Sequence, residues 1–352
     1  MNPDPTPIRG RGAGSNPANR FERMLYAPDP DTDPADSPAP TTHFFRDTSR
    51  SIIAYNDSPD VGFSASINPY RGCEHGCIYC YARPTHEYLG FSAGLDFESK
   101  IMVKEDAPAL LRKELTSPRW QPQTLAISGV TDCYQPIERR LQLTRRCLEV
   151  LLEFRNPVGI VTKNQLVTRD IDLLGELAKI DAAVVYVSLT TLDAEMVGKM
   201  EPRTSRPAAR LEAIAALARA GIPVGVFVAP VIPGLNDHEM PAIIEAAAHA
   251  GARIAGYTML RLPFAVSPLF EDWLVRHFPD RKDKVLGRIR DLRGGKLNDP
   301  RFGSRMRGEG VLADLIKNVF EVSCRKAGIA GRGAKLSTAG FLRPGEQRGL
   351  FD

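Results

Sequence analysis

Short apolar runs that alternate with helical patterns constrain the fold of this chain more than any other feature. Six such runs follow one another along the sequence, at 65–68, 124–128, 158–162, 183–188, 224–229 and 253–259. Runs of this length are typical of buried parallel strands. Pro207 and Gly221 predict the start and the end of one intervening helix. The pattern predicts six βα units, arranged as a partial barrel or as an open α/β sheet.

Helix signals also place the remaining elements. A helix is predicted at 104–115, and Asn236 is predicted to cap the helix that ends at Gly251. After residue 262 the sequence changes character, because apolar strand runs give way to helical periodicity. Helices are predicted there at 269–278, 281–292 and 312–326.

Composition divides the chain into four regions. Residues 1–42 hold nine of the 28 prolines, so this arm is predicted to be mostly disordered, with 9–16 and 20–22 as candidates to dock on the body or on nucleic acid. Residues 43–262 hold the βα units, and 263–330 form a helical region with a basic loop. Residues 331–352 are glycine-rich at their start and are predicted to be a flexible tail.

The overall composition is that of a globular protein, with 43% hydrophobic and 25% charged residues. There is no run of eighteen apolar residues and no apolar signal core at the N-terminus, so we expect a cytoplasmic protein with no membrane segment. The net charge of +4 is too small to require a nucleic-acid partner by itself.

Three cysteines within eight residues suggest a metal site, because six cysteines in a chain this long do not form a disulfide scaffold. They are Cys73, Cys77 and Cys80, on a short loop that leaves the first strand. Three thiolates can hold three irons of a cubane 4Fe-4S cluster and leave the fourth iron open for chemistry. The alternatives are a zinc site with His75 or His86 as the fourth ligand, and three buried cysteines with no metal.

The spacing Cys-x3-Cys-x2-Cys at the head of a six-unit βα repeat resembles the radical S-adenosylmethionine (SAM) superfamily, over about residues 60–262. Within it, the chain is similar to the spore photoproduct lyase and DNA-repair-photolyase-like branch. The motifs that carry this likeness are Asn68-Pro-Tyr70, Cys77-Ile-Tyr-Cys80-Tyr-Ala-Arg83, Thr131-Asp-Cys-Tyr-Gln-Pro-Ile-Glu138, Thr162-Lys163 and Arg169-Asp-Ile-Asp-Leu-Leu174. The resemblance implies a partial (βα)6 barrel.

The resemblance also implies the chemistry and the cofactors. The open iron of the cluster would chelate SAM, and an electron from a flavodoxin- or ferredoxin-type donor would cleave it to a 5′-deoxyadenosyl radical that abstracts a substrate hydrogen. Tyr79 would lie by the adenine, Ser128 and Gly129 by the methionine amino group, Lys163 by the carboxylate, and Ser188 within hydrogen-bonding reach of SAM. Each of the last four stands at the carboxyl end of a predicted strand, where βα barrels build their sites.

Two further residues are candidates with alternatives. Arg203 is suited to binding a carboxylate or phosphate, but it could equally neutralise Glu201 or cap a helix. Cys133 is a candidate hydrogen donor to a product radical, and a structural cysteine is the alternative. The related lyases carry their donor cysteine just before the position of Ser128, where this chain has Ile127, and this departure puts the lyase reaction in doubt. Cys147 and Cys324 are predicted to be core residues.

Basic residues between 281 and 307 number ten against three aspartates, so this segment is a candidate nucleic-acid surface. The proposed contacts are Arg293, Lys296, Arg301, Phe302, Arg305 and Arg307. Damaged nucleic acid is the leading substrate class, and a base lesion would have to be extruded to reach the site. The alternatives are RNA, a protein side chain or a small metabolite as substrate, or a non-catalytic zinc or Fe-S binding module.

The extreme C-terminus resembles the peptides by which bacterial repair proteins bind the sliding clamp. The matching residues are Gln347, Leu350 and Phe351. A glutamine beside two apolar anchors would suit a preformed groove.

Overall fold

The structure is a computed structural model that describes residues 8–22, 40–329 and 333–344. Its β-strands are β1 His43–Arg46, β2 Ile53–Tyr55, β3 Ala65–Ile67, β4 Tyr70–Arg71, β5 Lys100–Val103, β6 Leu125–Ile127, β7 Val158–Thr162, β8 Ala183–Ser188, β9 Val224–Val231 and β10 Ile254–Met259. Its α-helices are α1 Leu95–Ser99, α2 Ala107–Thr116, α3 Glu138–Leu141, α4 Leu143–Glu153, α5 Ile171–Ala178, α6 Ala194–Met200, α7 Pro207–Arg219, α8 Met240–His249, α9 Val266–His277, α10 Lys282–Leu292, α11 Ser304–Arg307 and α12 Val311–Ala327. Short 3₁₀ helices occupy Arg83–Leu89, Gln165–Asp170, Asp237–Glu239 and Pro279–Arg281.

The larger sheet has seven strands in the order β10-β9-β8-β7-β6-β3-β2. Strands β3 and β6 to β10 pair in parallel, and only β2 runs antiparallel, to β3. The prediction of six parallel strands is confirmed, and the fold is mixed α/β. Because the six strands run in one direction, their carboxyl ends all lie at one edge of the sheet, which is where α/β proteins bind ligands.

A second, three-stranded sheet with the order β1-β5-β4 was not predicted. β5 pairs in parallel with β1 and antiparallel with β4. β5 lies just before the helix predicted at 104–115. That helix, α2, begins later than predicted, at Ala107. Strands of two to four residues are too short to leave a periodic pattern, so their pairing depends on distant chain segments.

The helices cover the larger sheet and complete its core. The main hydrophobic core lies between the sheet and the helices α4, α5, α7 and α8. These helices contribute buried residues to it, among them Leu148, Leu174, Ile214 and Ile243. α12 joins the same core through Phe320, whose ring centre lies 4.7 Å from that of Tyr257 on β10. The last described helix therefore shares a core with the parallel sheet, whereas α9 packs in a second cluster with Cys77 and Tyr79.

The boundaries of α7 match the predicted signals, whereas Asn236 does not act as predicted. α7 begins at Pro207, and Gly221 follows it with φ +73°. The Asn236 side chain makes no capping bond; it donates to the Thr190 and Pro230 carbonyls and accepts from the Ile232 N–H. Asn236 is therefore a loop-fixing residue, and the prediction that it caps a helix is wrong.

Both terminal regions contact the body where the structure describes them. Residues 8–22 of the predicted disordered arm lie across the cysteine loop, with Ala13 fully buried. In the predicted flexible tail, Leu342 donates a backbone bond to Phe154, and the Phe341 and Phe154 rings are 6.3 Å apart. Residues 9–16 and 20–22 therefore contact the body, which is one of the two docking alternatives given for them. The contacts of Phe341 and Leu342 lie in a segment that was predicted to be flexible.

Candidate active site

The carboxyl edge of the parallel sheet gathers most of the predicted site residues. Ser128 and Gly129 follow β6, Lys163 follows β7, and Ser188 ends β8. The segment that leads from β3 to the cysteines starts at the same edge. Its Asn68 side chain accepts hydrogen bonds from two backbone N–H groups that follow β6. The structure therefore places these predicted site residues along the carboxyl edge of the sheet, as their positions after predicted strands indicated.

The cysteine loop, residues 73–80, is a pair of tight turns that begins after β4. Gly76 N–H donates to the Cys73 carbonyl at 3.3 Å and Cys80 N–H to the Cys77 carbonyl at 3.2 Å. Gly76 has φ +66°, a conformation that favours glycine. Cys73 and Cys77 are buried, Cys80 is half-buried, and none of the three forms a disulfide. Three free thiols thus share one short, hydrogen-bonded loop.

The 131–138 motif supports the cysteine loop from one side. Gln135 accepts from the Glu74 N–H at 2.9 Å and donates to the Gly72 carbonyl at 3.3 Å. Glu74 in turn accepts from the Ile137 N–H at 2.8 Å. Two motifs that lie about 60 residues apart in the sequence therefore form one rigid unit.

The Tyr79 hydroxyl ends in a buried network rather than in open space. It donates to Glu201 and lies 3.3 Å from the Thr190 hydroxyl, and Glu201 forms a fully buried ion pair with Arg210. Burial would raise the pKa of Glu201, but Arg210 and Lys163 bring it down to about 2. Glu201 is therefore a fixed negative charge beside the cysteine loop.

Lys163 stands between this network and a second buried carboxylate. Its ammonium lies 6.0 Å from the centre of the Tyr79 ring, and its backbone N–H donates to Asp132 at 2.8 Å. Asp132 also lies 3.4 Å from His75 Nδ1. Burial opposes ionisation of Asp132, yet His75 and two backbone N–H groups hold its pKa near 2. The half-buried Lys163 is thus a positive charge at the end of β7.

The residues after β6 and at the end of β8 are tightly held. Ser128 has φ +79°, and its hydroxyl accepts from the Cys133 N–H at 2.8 Å. A Cβ at Gly129 would lie 3.3 Å from Ser66, so the backbone approaches β3 closely there. Ser188 is buried, and its carbonyl accepts from Arg210 at 2.9 Å.

Arg203 is paired, but not with Glu201. Its guanidinium lies 3.1 Å from Glu74 and 3.3 Å from the Thr42 hydroxyl. The alternative that it neutralises Glu201 is wrong, because the fully buried Arg210 takes that place. Arg203 instead compensates a buried carboxylate within the cysteine loop.

A family model described as the radical SAM superfamily matches residues 67–247, from the end of β3 into α8. The chain belongs to the radical SAM superfamily. Two curated relatives of no assigned function are similar to it. An uncharacterised protein of Mycobacterium tuberculosis is 38% identical over 72% of this chain and 75% of its own length. One of Methanocaldococcus jannaschii is 31% identical over 52% of this chain and 66% of its own length.

Radical SAM proteins with a named activity are similar to this chain at lower sequence identity. A radical SAM Nalpha-GlyT isomerase of Pseudomonas phage M6 is 27% identical over 50% of this chain and 35% of its own length. Spore photoproduct lyase, complexed with dinucleoside spore photoproduct, superposes with a TM-score of 0.60 at 17% identity, over 81% of this chain and 80% of the lyase. A variant of that lyase with bound AdoMet gives a TM-score of 0.58. At such identity the lyase and this chain share a fold.

The radical SAM superfamily implies SAM and a 4Fe-4S cluster, and the thiols of the cysteine loop fit that donor set. Burial raises the pKa of the Cys73, Cys77 and Cys80 thiols, so they ionise readily only beside positive charge, which iron supplies. Lys163 lowers the pKa of Cys77 against the raising effects of burial and Glu201. In the described part of the chain, no three Cys, His, Asp or Glu side chains converge as the ligands of a single ion do.

Of the two histidines considered as zinc ligands, His75 has a contact at both ring nitrogens, whereas His86 has one at Nε2 and its buried Nδ1 has no hydrogen-bond partner among the described residues. His75 lies between Asp132 and Asn164, at 3.4 and 3.2 Å. His86 Nε2 lies 2.9 Å from the Lys100 carbonyl. The chemistry of the loop therefore fits an all-cysteine cluster better than a mixed zinc site.

Cys133 lies in the main core and not at the mouth of the site. Its side chain is fully buried, and its carbonyl accepts from Thr144 at 2.7 Å. Its backbone N–H donates to the Ser128 hydroxyl at 2.8 Å, which holds this segment against the end of β6. The surroundings agree with the structural alternative, and the hydrogen-donor role stays a prediction that burial opposes.

Part of the basic segment folds back on the body instead of projecting. Arg293 is buried and donates to the Leu260 and Ser304 carbonyls, each at 2.8 Å. Arg305 forms an ion pair with Asp60. These two guanidinium groups serve the fold, so the expectation that they contact nucleic acid does not match their surroundings.

The remaining basic residues differ in how far they are engaged. Arg301 pairs with Asp299 and Glu309, at 2.8 and 2.9 Å, and Arg307 donates to the β10 backbone at 3.0 Å. Lys296 and Phe302 are exposed, with Phe302 at 56%. All four of these residues are exposed to solvent, and Arg301 and Arg307 are in addition engaged within the protein.

Sequence reasoning missed Arg261, which follows β10 at the carboxyl edge. Its guanidinium lies 5.2 Å from the Tyr81 ring, and its Nε has no hydrogen-bond partner within the described residues. In the same part of the chain no carboxylate lies within ion-pair distance of it. Burial, together with the charge of Arg305, lowers its pKa. A rule slightly wider than the one that found Lys163, a polar residue within two positions of a strand end, also finds Arg261.

Two predictions concern other features of the chain. Gln347, Leu350 and Phe351 lie outside the described residues, so the sliding-clamp motif stays a prediction. In the described residues, no helix combines the length and apolar character needed to cross a bilayer.

Proposed function

We propose that this protein is a radical SAM enzyme that acts on damaged nucleic acid. The observation that carries the enzymatic part is the loop with three free cysteines at the carboxyl edge of a parallel sheet, in a chain of this superfamily. In this proposal Cys73, Cys77 and Cys80 hold a 4Fe-4S cluster at the head of a six-unit partial barrel. The cluster and SAM together supply one-electron chemistry that removes a hydrogen atom from the substrate.

The protein's own side chains would orient SAM. Lys163, the half-buried cation at the end of β7, would pair with its carboxylate. Tyr79 would present its ring to the adenine, because Glu201 and Thr190 already engage its hydroxyl. Ser128 and Gly129 would contribute mainly backbone groups, since the Ser128 hydroxyl already accepts a hydrogen bond. Ser188 would contribute its hydroxyl, since its carbonyl is engaged by Arg210.

Nucleic acid is the favoured substrate class for two reasons. The fold matches that of spore photoproduct lyase, whose described complex contains a dinucleoside lesion. The edge of the site also carries Arg261, a cation without a carboxylate partner among the described residues, and the basic segment adds the exposed Phe302 and Lys296. Cations bind phosphate and exposed aromatic rings stack on bases. A flavodoxin- or ferredoxin-type reductant is proposed as the electron source.

The first test is SAM cleavage by the reconstituted protein. After anaerobic reconstitution with iron and sulfide, dithionite and SAM should yield 5′-deoxyadenosine, measured by chromatography. Cys77→Ala should abolish iron binding and the product. Cys147→Ala is the matched control, because this buried core thiol should leave both unchanged. Zinc without iron in the wild-type protein would contradict the proposal.

The second test addresses the substrate. Binding of a lesion-bearing DNA duplex should weaken as salt rises, and the slope of log K against log salt should fall by about 1 for Lys296→Gln. Lys179→Gln is the control, since Lys179 precedes β8 at the opposite edge and pairs with Glu176. SAM cleavage without salt-dependent DNA affinity would retain the enzyme and reject this substrate in favour of RNA, protein or a metabolite.

A further inference from the structure

We propose that residues 8–22, here called the strap, position and cover the cysteine loop through the buried pair Glu98 and Arg83. The strap includes the glycine-rich motif Gly10-Arg-Gly-Ala-Gly14. This inference concerns the apoprotein as well as the loaded protein, and it holds whatever the substrate is.

The first link joins the strap to Glu98. The backbone N–H groups of Gly12 and Ala13 donate to the two Glu98 carboxylate oxygens, at 3.0 and 2.8 Å. Arg11 donates from its guanidinium to the Glu98 carbonyl at 2.7 Å and to the Thr42 hydroxyl at 3.0 Å. Hydrogen bonds to a charged, buried carboxylate are among the stronger ones in proteins.

The second link joins Glu98 to the cysteine loop. Glu98 forms an ion pair with Arg83, and both side chains are 0% exposed. Arg83 also donates to the carbonyls of Cys77 at 3.0 Å and Gly76 at 3.3 Å. One guanidinium thus connects the carboxylate held by the strap with the backbone of a proposed cluster ligand.

Close backbone approach fixes the strap over the loop. A Cβ at Gly12 would overlap the Gly76 carbonyl oxygen, and one at Gly94 would overlap the Ser15 carbonyl oxygen. Ala13 is fully buried in the cluster that contains Cys77 and Tyr79. Only glycine at position 12 permits this contact, so the motif has a steric reason.

The rest of the strap is bonded to the segment that follows the cysteine loop. Asn16 exchanges two hydrogen bonds with Asp96, at 3.1 and 2.9 Å. Asn19 donates to the Glu87 and Phe91 carbonyls, and Arg20 pairs with Glu87 at 2.7 Å. The strap is therefore held along its whole length, with the cysteine loop beneath its glycines.

The test compares Gly12→Ala with Gly14→Ala. The added methyl group at Gly12 meets rigid backbone, whereas at Gly14 it meets only the end of the Arg276 side chain. In reduced apoprotein, alkylation of Cys77 by iodoacetamide, followed by mass spectrometry, should be at least about tenfold faster in Gly12→Ala, equivalent to about 1.4 kcal/mol in the opening equilibrium. Gly14→Ala should match the wild type. Cys147 labelling, which should not change, reports whether the core remains folded.

A second pair of variants decides the question if Gly12→Ala does not fold. Arg11→Ala removes the bonds to Glu98 and Thr42, whereas Arg9→Ala removes the same charge from an exposed position of the strap. Arg11→Ala should accelerate Cys77 labelling about tenfold and shorten the lifetime of the reconstituted cluster in air, and Arg9→Ala should do neither. Equal Cys77 labelling in Arg11→Ala and the wild type would overturn the inference. Because labelling needs no cluster, this outcome is distinct from failure of the proposed enzymatic activity.

Discussion

Replacing Arg210 by methionine should destabilise the protein. It should also reverse the sign of the contribution that Glu201 makes to the pH dependence of the stability. Arg210 is fully buried, pairs with Glu201 and donates to the Ser188 and Ser205 carbonyls. Methionine fills a similar length without charge. The substitution therefore leaves the buried Glu201 carboxylate without its main counter-charge.

The magnitude follows from the carboxylate that remains. Glu201 has its pKa lowered from 4.5 to about 2, which corresponds to about 3 kcal/mol of stabilisation of the charged form. Breaking a buried ion pair on one side typically costs about 3–5 kcal/mol. We expect Arg210→Met to lower the free energy of unfolding by this amount at pH 8.

The pH dependence gives the more specific signature. In the wild type the pKa of Glu201 is lower in the folded state, so its contribution is complete above about pH 4.5 and is lost only as pH falls towards 2. Without Arg210, burial should raise the folded pKa above the unfolded value. The folded variant then binds the proton more tightly, so its stability should increase as pH falls from 8 to 5.

Urea unfolding of reduced apoprotein between pH 5 and 8, followed by tryptophan fluorescence, would measure both effects. The double variant Arg210→Met/Glu201→Gln should recover part of the loss at pH 8, because no uncompensated charge remains. This reasoning would be refuted if Arg210→Met lowered the free energy of unfolding by less than about 1 kcal/mol at pH 8. It would also be refuted if the difference in that free energy between the variant and the wild type did not shrink towards pH 5.

Three other predictions are independent of that pair. Burial lowers the pKa of His86 from 6.5 to about 4. The unfolded chain therefore takes up this proton first, and about 3 kcal/mol of stability should be lost as the pH falls from 6.5 to 4. His86→Gln should flatten that part of a urea-unfolding pH profile, and an unchanged profile would contradict this assignment. Cys133→Ala should cost about 1 kcal/mol and leave the iron content of the reconstituted protein unchanged, whereas iron loss would show that Cys133 supports the cluster. A peptide of residues 341–352 should bind a bacterial sliding clamp in a fluorescence anisotropy titration, and absence of binding at high micromolar concentration would reject that motif.

The sequence was sufficient for features that depend on local pattern. Apolar runs of strand length identified all six parallel strands, because a strand covered on both faces is apolar throughout. Pro207 fixed the start of α7, since proline lacks the N–H that a first-turn residue does not need. Three cysteines close in sequence must also be close in space, so the proposed cluster ligands needed no tertiary information.

Other features depended on which distant residues meet. Arg210, and not Arg203, pairs with Glu201, although both are within ten residues of it, because only the turn into α7 brings Arg210 inward. Cys133 is five residues beyond Ser128 at the edge of the sheet, yet its side chain is fully buried in the core, where its segment is held by contacts with Ser128 and Thr144.

The basic segment and the strap show the same division between sequence and tertiary structure. Charge composition gave Arg293 and Lys296 the same expected role, but one is buried against backbone carbonyls and the other is exposed. Composition predicted a mostly disordered arm in which 9–16 could dock, but it did not predict the partner, because Gly12 and Ala13 donate to a carboxylate that lies 86 and 85 residues away. Composition reports what a segment can bury by itself, and only the tertiary structure supplies the partner that makes its ordering favourable.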